Sequence, residues 1–177
     1  MDKIETMEIV IREYRDSDYA ACRKIYGELA EHHAEIFEDP SIAGDDPGRG
    51  FDEYLGRVDR CCSWVAEKEA QVVGLAGLCT THELPKGGEI EPVVVTAALR
   101  SRGIGTRLIE YGINEARKQG VRFLRIRPVA RNEKAFSLYV RLGFDLVGNI
   151  DLVQDLAITS NRKWKTGIKI LGHELRY

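Results

Sequence analysis

The segment EIEPVVVTAALRSRGIGTRLI, residues 89–109, determines how the rest of the chain is interpreted. It begins with a valine run typical of a strand, passes through a short turn that contains Gly103 and Gly105, and ends in apolar residues at helical spacing. Such a turn directs several backbone N–H groups to one point, at the positive end of the helix dipole, where phosphate binds readily. The segment therefore predicts a phosphate-binding loop.

The spacing of Arg100, Gly103 and Gly105 differs from that of two familiar phosphate-binding loops. The dinucleotide fingerprint requires a third glycine three residues further on, and Leu108 occupies that position. A Walker loop requires Gly-Lys followed by Ser or Thr, and this sequence does not follow here. Neither a dinucleotide site nor a nucleoside triphosphatase site is predicted.

Composition limits the class of protein. With 177 residues, the chain is expected to form one domain over residues 1–177. A net charge of -2 argues against nucleic acid or a membrane surface as the main partner, and no apolar run approaches the roughly 20 residues that span a bilayer. The N-terminal residues lack the apolar stretch of a signal peptide, so a cytoplasmic location is expected.

Cysteines and histidines give no metal-binding pattern. The four cysteines Cys22, Cys61, Cys62 and Cys79 include no Cys-x-x-Cys pair and are interpreted as small buried apolar residues. The pair at residues 32–33 is His-His, but no matching ligand cluster accompanies it. We therefore expect no metal.

Apolar periodicity and turn residues predict an α/β fold, a mixed sheet of about seven strands with four helices on both faces. A parallel arrangement of the fourth and fifth strands follows from the strand–helix–strand unit that contains the loop. The predicted elements are a strand at 7–12, a helix capped by Asp16 or Ser17, a loop at 37–50, a helix with Phe51, Tyr54, Leu55 and Val58 on one face, strands at 61–67, 71–79 and 89–96, a helix from Gly105 to Lys118, a strand at 121–127, a helix at 132–142, and strands at 144–156 and 168–176.

Two motifs give the chain a resemblance to the GNAT superfamily of acyl-coenzyme A-dependent N-acetyltransferases. The first is VVVTAALRSRGIG, residues 93–105. The second is NEKAFSLYVRLGF, residues 132–144, which is similar to the family pattern Asn-x-x-Ala-x-x-x-Tyr-x-x-x-Gly-Phe. The order of elements over residues 7–150 also resembles that family. The resemblance implies that the fourth and fifth strands splay apart.

The resemblance implies acetyl-CoA as cosubstrate. Backbone N–H groups from Arg102 to Thr106 would hold the pyrophosphate, with positive charge from nearby arginines, Arg107 included, and the pantetheine arm would pair with the fourth strand. Asn132 would contact that arm, although an Asn before Glu133 is equally suited to cap a helix. The implied cofactor-binding residues are Val93, Val94, Val95, Arg100, Arg102, Gly103, Ile104, Gly105, Thr106 and Asn132.

Acetyl transfer to an amine requires a base for the amine and an acid for the thiolate. Glu89 and Glu91 lie two apart on one strand and face the same side, and the resemblance favours Glu91 as the base. A solvated strand position is the alternative for either residue. Tyr139 matches the family tyrosine that protonates the thiolate, and packing against Phe136 is its alternative role.

The acceptor is expected to be a primary amine of a small molecule or peptide, acetylated directly without an acyl-enzyme. Acidic residues between positions 35 and 53 would favour a cationic amine, unless they form an ordinary solvated surface. The alternative function is a noncatalytic acyl-CoA-binding sensor or scaffold. A homodimer, with the tail 149–177 as its interface, is compatible with the resemblance.

Overall fold

The computed structural model describes residues 8–81, 86–154, 156 and 163–177. No helix in these ranges is long and apolar enough to cross a membrane. The α-helices are α1 Tyr19–Phe37, α2 Arg49–Leu55, α3 Ile104–Lys118 and α4 Glu133–Arg141. The strands are β1 Val10–Glu13, β2 Arg60–Lys68, β3 Gln71–Thr80, β4 Gly87–Val95, β5 Phe123–Arg125, β6 Ile168–Ile170 and β7 His173–Leu175.

The first five strands form one mixed sheet in the order β1-β2-β3-β4-β5. Pairing is antiparallel from β1 to β4, and β4 pairs with β5 in parallel, as predicted. The parallel pair joins only Gly87–Glu89 to Phe123–Arg125, whereas β4 continues to Val95. The two strands therefore separate after three residues, and the remainder of β4 has an open edge on this side.

Helices cover both faces of the sheet, which confirms the predicted architecture. Side chains that alternate along β2 enter two different cores: Trp64 and Ala66 pack with α3, and Val65 packs with the first two helices. Trp64 also donates a hydrogen bond from Nε1 to the carbonyl oxygen of Leu108 on α3, at 2.9 Å. This indole is fully buried, so the bond fixes α3, and with it the preceding loop, against the sheet.

A β-bulge interrupts β4 at Glu91 and Pro92. Ala76 pairs with Val93 and Leu78 with Ile90, so β4 advances three residues where β3 advances two. Pro92 suits this place because it cannot donate a hydrogen bond to the ladder. Gly77 lies opposite, where a Cβ would stand only 1.8 Å from the Tyr54 hydroxyl. The bulge is therefore packed tightly from the α2 side.

The predicted strand at residues 144–156 is wrong. Residues 144–154 and 156 contain no strand, and Asp155 lies outside the described residues. The alternation of Leu146, Ile150 and Leu152 with polar residues suits a strand, but a strand forms only against a partner edge. Leu146 is 89% exposed and Leu152 is 77% exposed, so beyond Phe144 these apolar side chains do not pack on the described sheet.

The last predicted strand and the second predicted helix also differ from the structure. Residues 168–176 form a two-stranded hairpin, β6 and β7, because Leu171 and Gly172 adopt left-handed φ angles of 50° and 84° and reverse the chain. Val58 is 99% exposed, because α2 ends at Leu55 and the helical period does not extend to it.

Smaller differences concern cysteine burial and the ends of elements. Cys61 is exposed, whereas Cys22 and Cys79 are buried as expected. A single-turn 3-10 helix at Pro40–Ile42 lies within the predicted loop. The first and fifth strands are shorter than predicted, and Met7, the predicted start of the first, lies outside the described residues.

Candidate active site

A cleft of about 1230 Å³ opens where β4 and β5 separate. Its walls are the open part of β4, the inner face of α1, the loop before α3, and α4. This single cleft brings together most of the residues singled out from the sequence. Those that line it are Glu89, Glu91, Val93, Val94, Val95, Arg100, Gly103, Gly105, Thr106, Asn132 and Tyr139.

Two of the predicted cofactor-binding residues, Arg102 and Ile104, do not line the cleft. Arg102 is exposed, and so is Arg107 in the first turn of α3. Ile104 is 1% exposed and packs in the core beneath the loop. The side chain of Ile104 anchors the helix, so only its backbone is placed to contact a ligand.

The loop before α3 has the conformation that its glycine spacing predicts. Gly103 is the N-cap residue of the 15-residue helix α3 and has φ of 82°. A Cβ at Gly103 would meet no atom within 4 Å, so glycine is required here for its backbone conformation rather than for space. Ser101 also has a positive φ, 62°. An open cleft wall formed by backbone at a helix N-terminus fits a pyrophosphate group.

Arg100 has a structural role that the sequence did not indicate. Its Nε donates to the carbonyl oxygen of Val95 at 3.0 Å, and its Nη2 donates to that of Glu28 on α1 at 3.2 Å. The carboxylate of Glu28 in turn accepts hydrogen bonds from Thr96 Oγ1 at 3.0 Å and from the backbone N–H of Ala97 at 2.6 Å. These contacts tie the end of β4 to α1 and hold the loop in place.

Tyr139 lies on α4 and lines the cleft with its side chain partly buried. Burial raises its pKa above the usual value, so the phenol keeps its proton at neutral pH. Its ring packs edge-on against Phe144, with centroids 6.4 Å apart. The hydroxyl forms no hydrogen bond to any described residue. Tyr139 therefore combines a packed ring with a phenolic proton available in the cleft.

Asn132 performs the capping role for which its residue type is suited. Its Oδ1 accepts a hydrogen bond from the backbone N–H of Ala135 at 3.1 Å, at the start of α4. The same residue lines the cleft. The cap and the contact with a ligand are compatible, because the side-chain amide N–H₂ is not used by the cap.

Both glutamates of β4 form ion pairs with arginines. Glu91 accepts a hydrogen bond from Arg57 Nη1 at 2.7 Å and keeps 39% of its side chain exposed. Glu89 is buried and accepts a hydrogen bond from Arg127 Nε, which also forms an ion pair. Arg57 follows α2 and Arg127 follows β5, so neither pairing could be read from local sequence.

Helix α1 contributes Tyr26 and His33 to the cleft, two residues to which sequence reasoning assigned no chemical role. Tyr26 lies near Glu91, and burial followed by the charge of Glu91 raises its tyrosyl pKa. His33 lies two turns further on, where burial, then His32 and Arg100, lower its pKa, so the imidazole is neutral at neutral pH. The seven-residue spacing is that of one helix face, which was the available signal.

Taken together, these residues form a cleft with a phosphate-type loop at one end and paired carboxylates at the other. The sequence profile of the Acetyltransferase (GNAT) family matches residues 19–144, which is most of the chain. The chain belongs to this family. The assignment made from the two motifs is thereby confirmed.

Individual relatives are more distant. The GNAT chain is 30% identical over 115 residues to an uncharacterized N-acetyltransferase of Methanocaldococcus jannaschii, covering 55% of this chain and 51% of that protein. It is 30% identical over 86 residues to the probable N-acetyltransferase camello of Xenopus laevis, covering 49% of this chain and 39% of that protein. The chain thus spans about half or less of the length of these curated relatives.

Solved structures share the fold at low identity. An aminoglycoside N-acetyltransferase in complex with CoA superposes with a TM-score of 0.65 and 17% identity, over 85% of this chain and 96% of that one. This likeness shows that the GNAT fold extends over most of the chain.

Proposed function

We propose that this GNAT chain transfers the acetyl group of acetyl-CoA directly to a primary amine of a small molecule or peptide. The observation that carries the proposal is the cleft itself. It places the Gly103 loop, the open edge of β4, Tyr139 and Glu91 on the walls of one space. These are the groups that phosphate binding, thioester binding, acid catalysis and base catalysis require.

The cosubstrate would be held mainly by backbone. The N–H groups at the start of α3 suit the pyrophosphate. β5 does not cover β4 from Val93 to Val95, so apart from the Val95 carbonyl oxygen, which accepts from Arg100, backbone groups of this edge are available for the amides of pantetheine. The CoA complex of the aminoglycoside N-acetyltransferase supports CoA as the ligand class. Because Arg100 is already bonded to two carbonyl oxygens, its main contribution is to fix the end of β4.

In the reaction, the amine nitrogen forms a bond to the thioester carbonyl carbon, and the carbon–sulfur bond breaks. The amine loses a proton, which we assign to Glu91, directly or through one water. The departing thiolate gains a proton, which we assign to Tyr139. These two groups lie on different elements, β4 and α4, and both line the cleft, so each can serve a different end of the reacting centre.

Direct transfer is favoured over an acyl-enzyme because no cysteine is placed as a nucleophile. All four cysteines are described, and none lines the cleft. Burial raises the thiol pKa of Cys79 to about 11 and that of Cys22 to about 12, so both are protonated at neutral pH. A ternary complex of protein, acetyl-CoA and amine is therefore expected.

The experiment is to incubate the protein with acetyl-CoA and a panel of amines, and to measure free thiol and acetylated amine together. The proposal expects thiol release that depends on an amine and matches the acetylated product in amount. Binding of acetyl-CoA without turnover of any amine would contradict the enzyme and favour a sensor or scaffold.

A further inference from the structure

Six charged residues surround the point where β4 and β5 separate, and we refer to them as the charge cluster. Arg57 donates to Asp59 through Nε at 2.9 Å and Nη2 at 2.8 Å, in addition to its bond with Glu91. The other members surround Glu89, where Arg125 Nη2 lies 3.8 Å from Oε2. The charge cluster consists of Arg57, Asp59, Glu89, Glu91, Arg125 and Arg127. Three carboxylates are thus balanced by three guanidinium groups.

The acidic residues of the N-terminal region are also largely paired. Asp46 and Asp52 share Arg23, and Glu53 pairs with Arg49 at 3.0 Å. These pairs reduce the negative charge that this region could offer to a polycation. Three of the carboxylates considered from the sequence as an acidic rim, those of Asp46, Asp52 and Glu53, therefore neutralise arginines of the same region.

Within the charge cluster, Glu91 and Arg127 form an unusual pair. Arg127 Nη2 lies 3.8 Å from Glu91 Oε2, which is too far for a hydrogen bond, and both residues line the cleft. Nη1 and Nη2 of Arg127 donate no hydrogen bond to any described residue, and Oε1 of Glu91 accepts none. A carboxylate and a guanidinium with unused hydrogen-bonding groups thus lie side by side at the cleft wall.

We propose that the acceptor is a zwitterionic α-amino acid, with its amine at Glu91 and its carboxylate at Arg127. The inference rests on the acetyl-transfer function proposed above. In an α-amino acid the ammonium and carboxylate groups share one carbon, so each can meet the opposite charge of two neighbouring side chains. A guanidinium suits a carboxylate because it donates two parallel hydrogen bonds. A polyamine leaves Arg127 unmatched, and so does a peptide N-terminus, whose neighbouring group is a neutral amide.

The wall next to this pair is apolar and rigid. Tyr26 packs against Phe51, with ring centroids 6.2 Å apart, and a Cβ on Gly50 would come within 2.5 Å of the Tyr26 ring. Leu29 and Ile42 line the same cleft. An apolar amino-acid side chain suits this wall, so leucine is the appropriate first probe.

The test compares three acceptors with the wild-type protein: leucine, leucinamide and putrescine. Leucinamide keeps the amine and the side chain but has no carboxylate, and its amine is the more readily deprotonated, so chemistry alone favours it. We expect kcat/KM for leucine to exceed that for leucinamide by about 10-fold or more, the contribution of a charge-assisted hydrogen bond. Putrescine is expected to be the poorest acceptor. Equal or better use of leucinamide or putrescine overturns the inference without any variant.

A pair of variants then locates the preference. Arg127→Gln should raise KM for leucine about 10-fold or more, change kcat little, and abolish the preference over leucinamide. Arg125→Gln is the matched control, because Arg125 also lies beside Glu89 but does not line the cleft. A preference that survives Arg127→Gln contradicts the assignment. Absence of acetylation of every amine overturns the proposed function itself, whereas turnover of other amines with leucine rejected overturns only this inference.

Discussion

The two ends of the cleft are built in different ways. At the cofactor end, backbone groups do the proposed binding, and their placement depends on a glycine with positive φ, a strand left unpaired and a capped helix. At the proposed acceptor end, side chains from segments far apart in the chain pair with one another. A backbone site depends on conformation at a few positions, whereas a side-chain site depends on charge balance. Substitutions at the two ends should therefore fail in different ways.

The largest expected effect is at the cofactor end, in Gly103→Val. Valine at a φ of 82° is strained, so the loop must change shape and its N–H groups lose their common direction. Acetyl-CoA at 100 times its Kd should add about 2.7 kcal/mol to the free energy of unfolding of the wild type. This stabilisation raises the melting temperature of the wild type. We expect no such rise in Gly103→Val when both proteins are measured by calorimetry with and without acetyl-CoA.

Gly120→Val supplies the control for that experiment. Gly120 also has a positive φ, 69°, and also has no atom within 4 Å of a built Cβ, but it lies at the other end of α3. The strain, about 1–2 kcal/mol, should be similar in both variants. Gly120→Val should keep the rise in melting temperature with acetyl-CoA. If acetyl-CoA raised the melting temperature of both variants equally, the backbone at Gly103 would not be the pyrophosphate site.

The next effect concerns the proton for the leaving thiolate. Tyr139→Phe should lower kcat by about 10²-fold or more, the usual contribution of a general acid, while the ring still packs on Phe144. The Kd of acetyl-CoA should change little. Steady-state kinetics and calorimetric binding measure the two quantities separately.

Tyr111→Phe is the matched control for Tyr139, because Tyr111 is also partly buried with a raised pKa but packs at a tilt against Trp64 and does not line the cleft. Loss of the Tyr111 hydroxyl should leave kcat near the wild-type value. Full activity in Tyr139→Phe would reduce Tyr139 to a packing residue.

The acceptor end should respond through pH. Glu91→Gln keeps the shape of the side chain but removes the base, so the rate at neutral pH should fall by about 10²-fold. The loss should shrink towards alkaline pH, where the amine deprotonates unaided, and the acid limb of kcat/KM should move upwards in pH. Acetyl-CoA binding should persist, because backbone holds it.

The control for Glu91 is Glu67→Gln. Glu67 pairs with Arg12 at 2.7 Å, the distance found between Arg57 and Glu91, but on the β1–β2 side of the sheet. The Glu67→Gln substitution breaks an equivalent ion pair outside the cleft. The pH–rate profile of this variant should therefore match that of the wild type. A wild-type profile in Glu91→Gln as well would exclude Glu91 as the base.

The smallest effect is expected at Asn132, where the structure shows a helix cap. Asn132→Ala should lower the free energy of unfolding by about 1 kcal/mol through loss of the bond to Ala135, whereas Asn132→Ser should retain most of it. Chemical denaturation of both variants measures the cap. A weaker Kd for acetyl-CoA in Asn132→Ser at unchanged stability would add the ligand contact to the capping role.

The backbone conformation at the proposed cofactor end could be predicted from the sequence because its determinants are local. Gly103, Asn132 and the valine run act through their own backbone or that of near neighbours, so residue type and spacing are sufficient. The ion pairs of Arg57 and Arg127 join residues 34 and 38 positions apart, which no local pattern encodes. The strand predicted at residues 144–156 failed for a related reason, since periodicity indicates a strand but not whether an edge is available to pair with it.

The central claim is that acetyl-CoA and the amine occupy the cleft together. Initial rates measured with both substrates varied test it most directly. Direct transfer predicts intersecting double-reciprocal lines, because the amine reacts only in the ternary complex. Parallel lines, together with an acetylated protein isolated in the absence of amine, would show an acyl-enzyme and contradict the account.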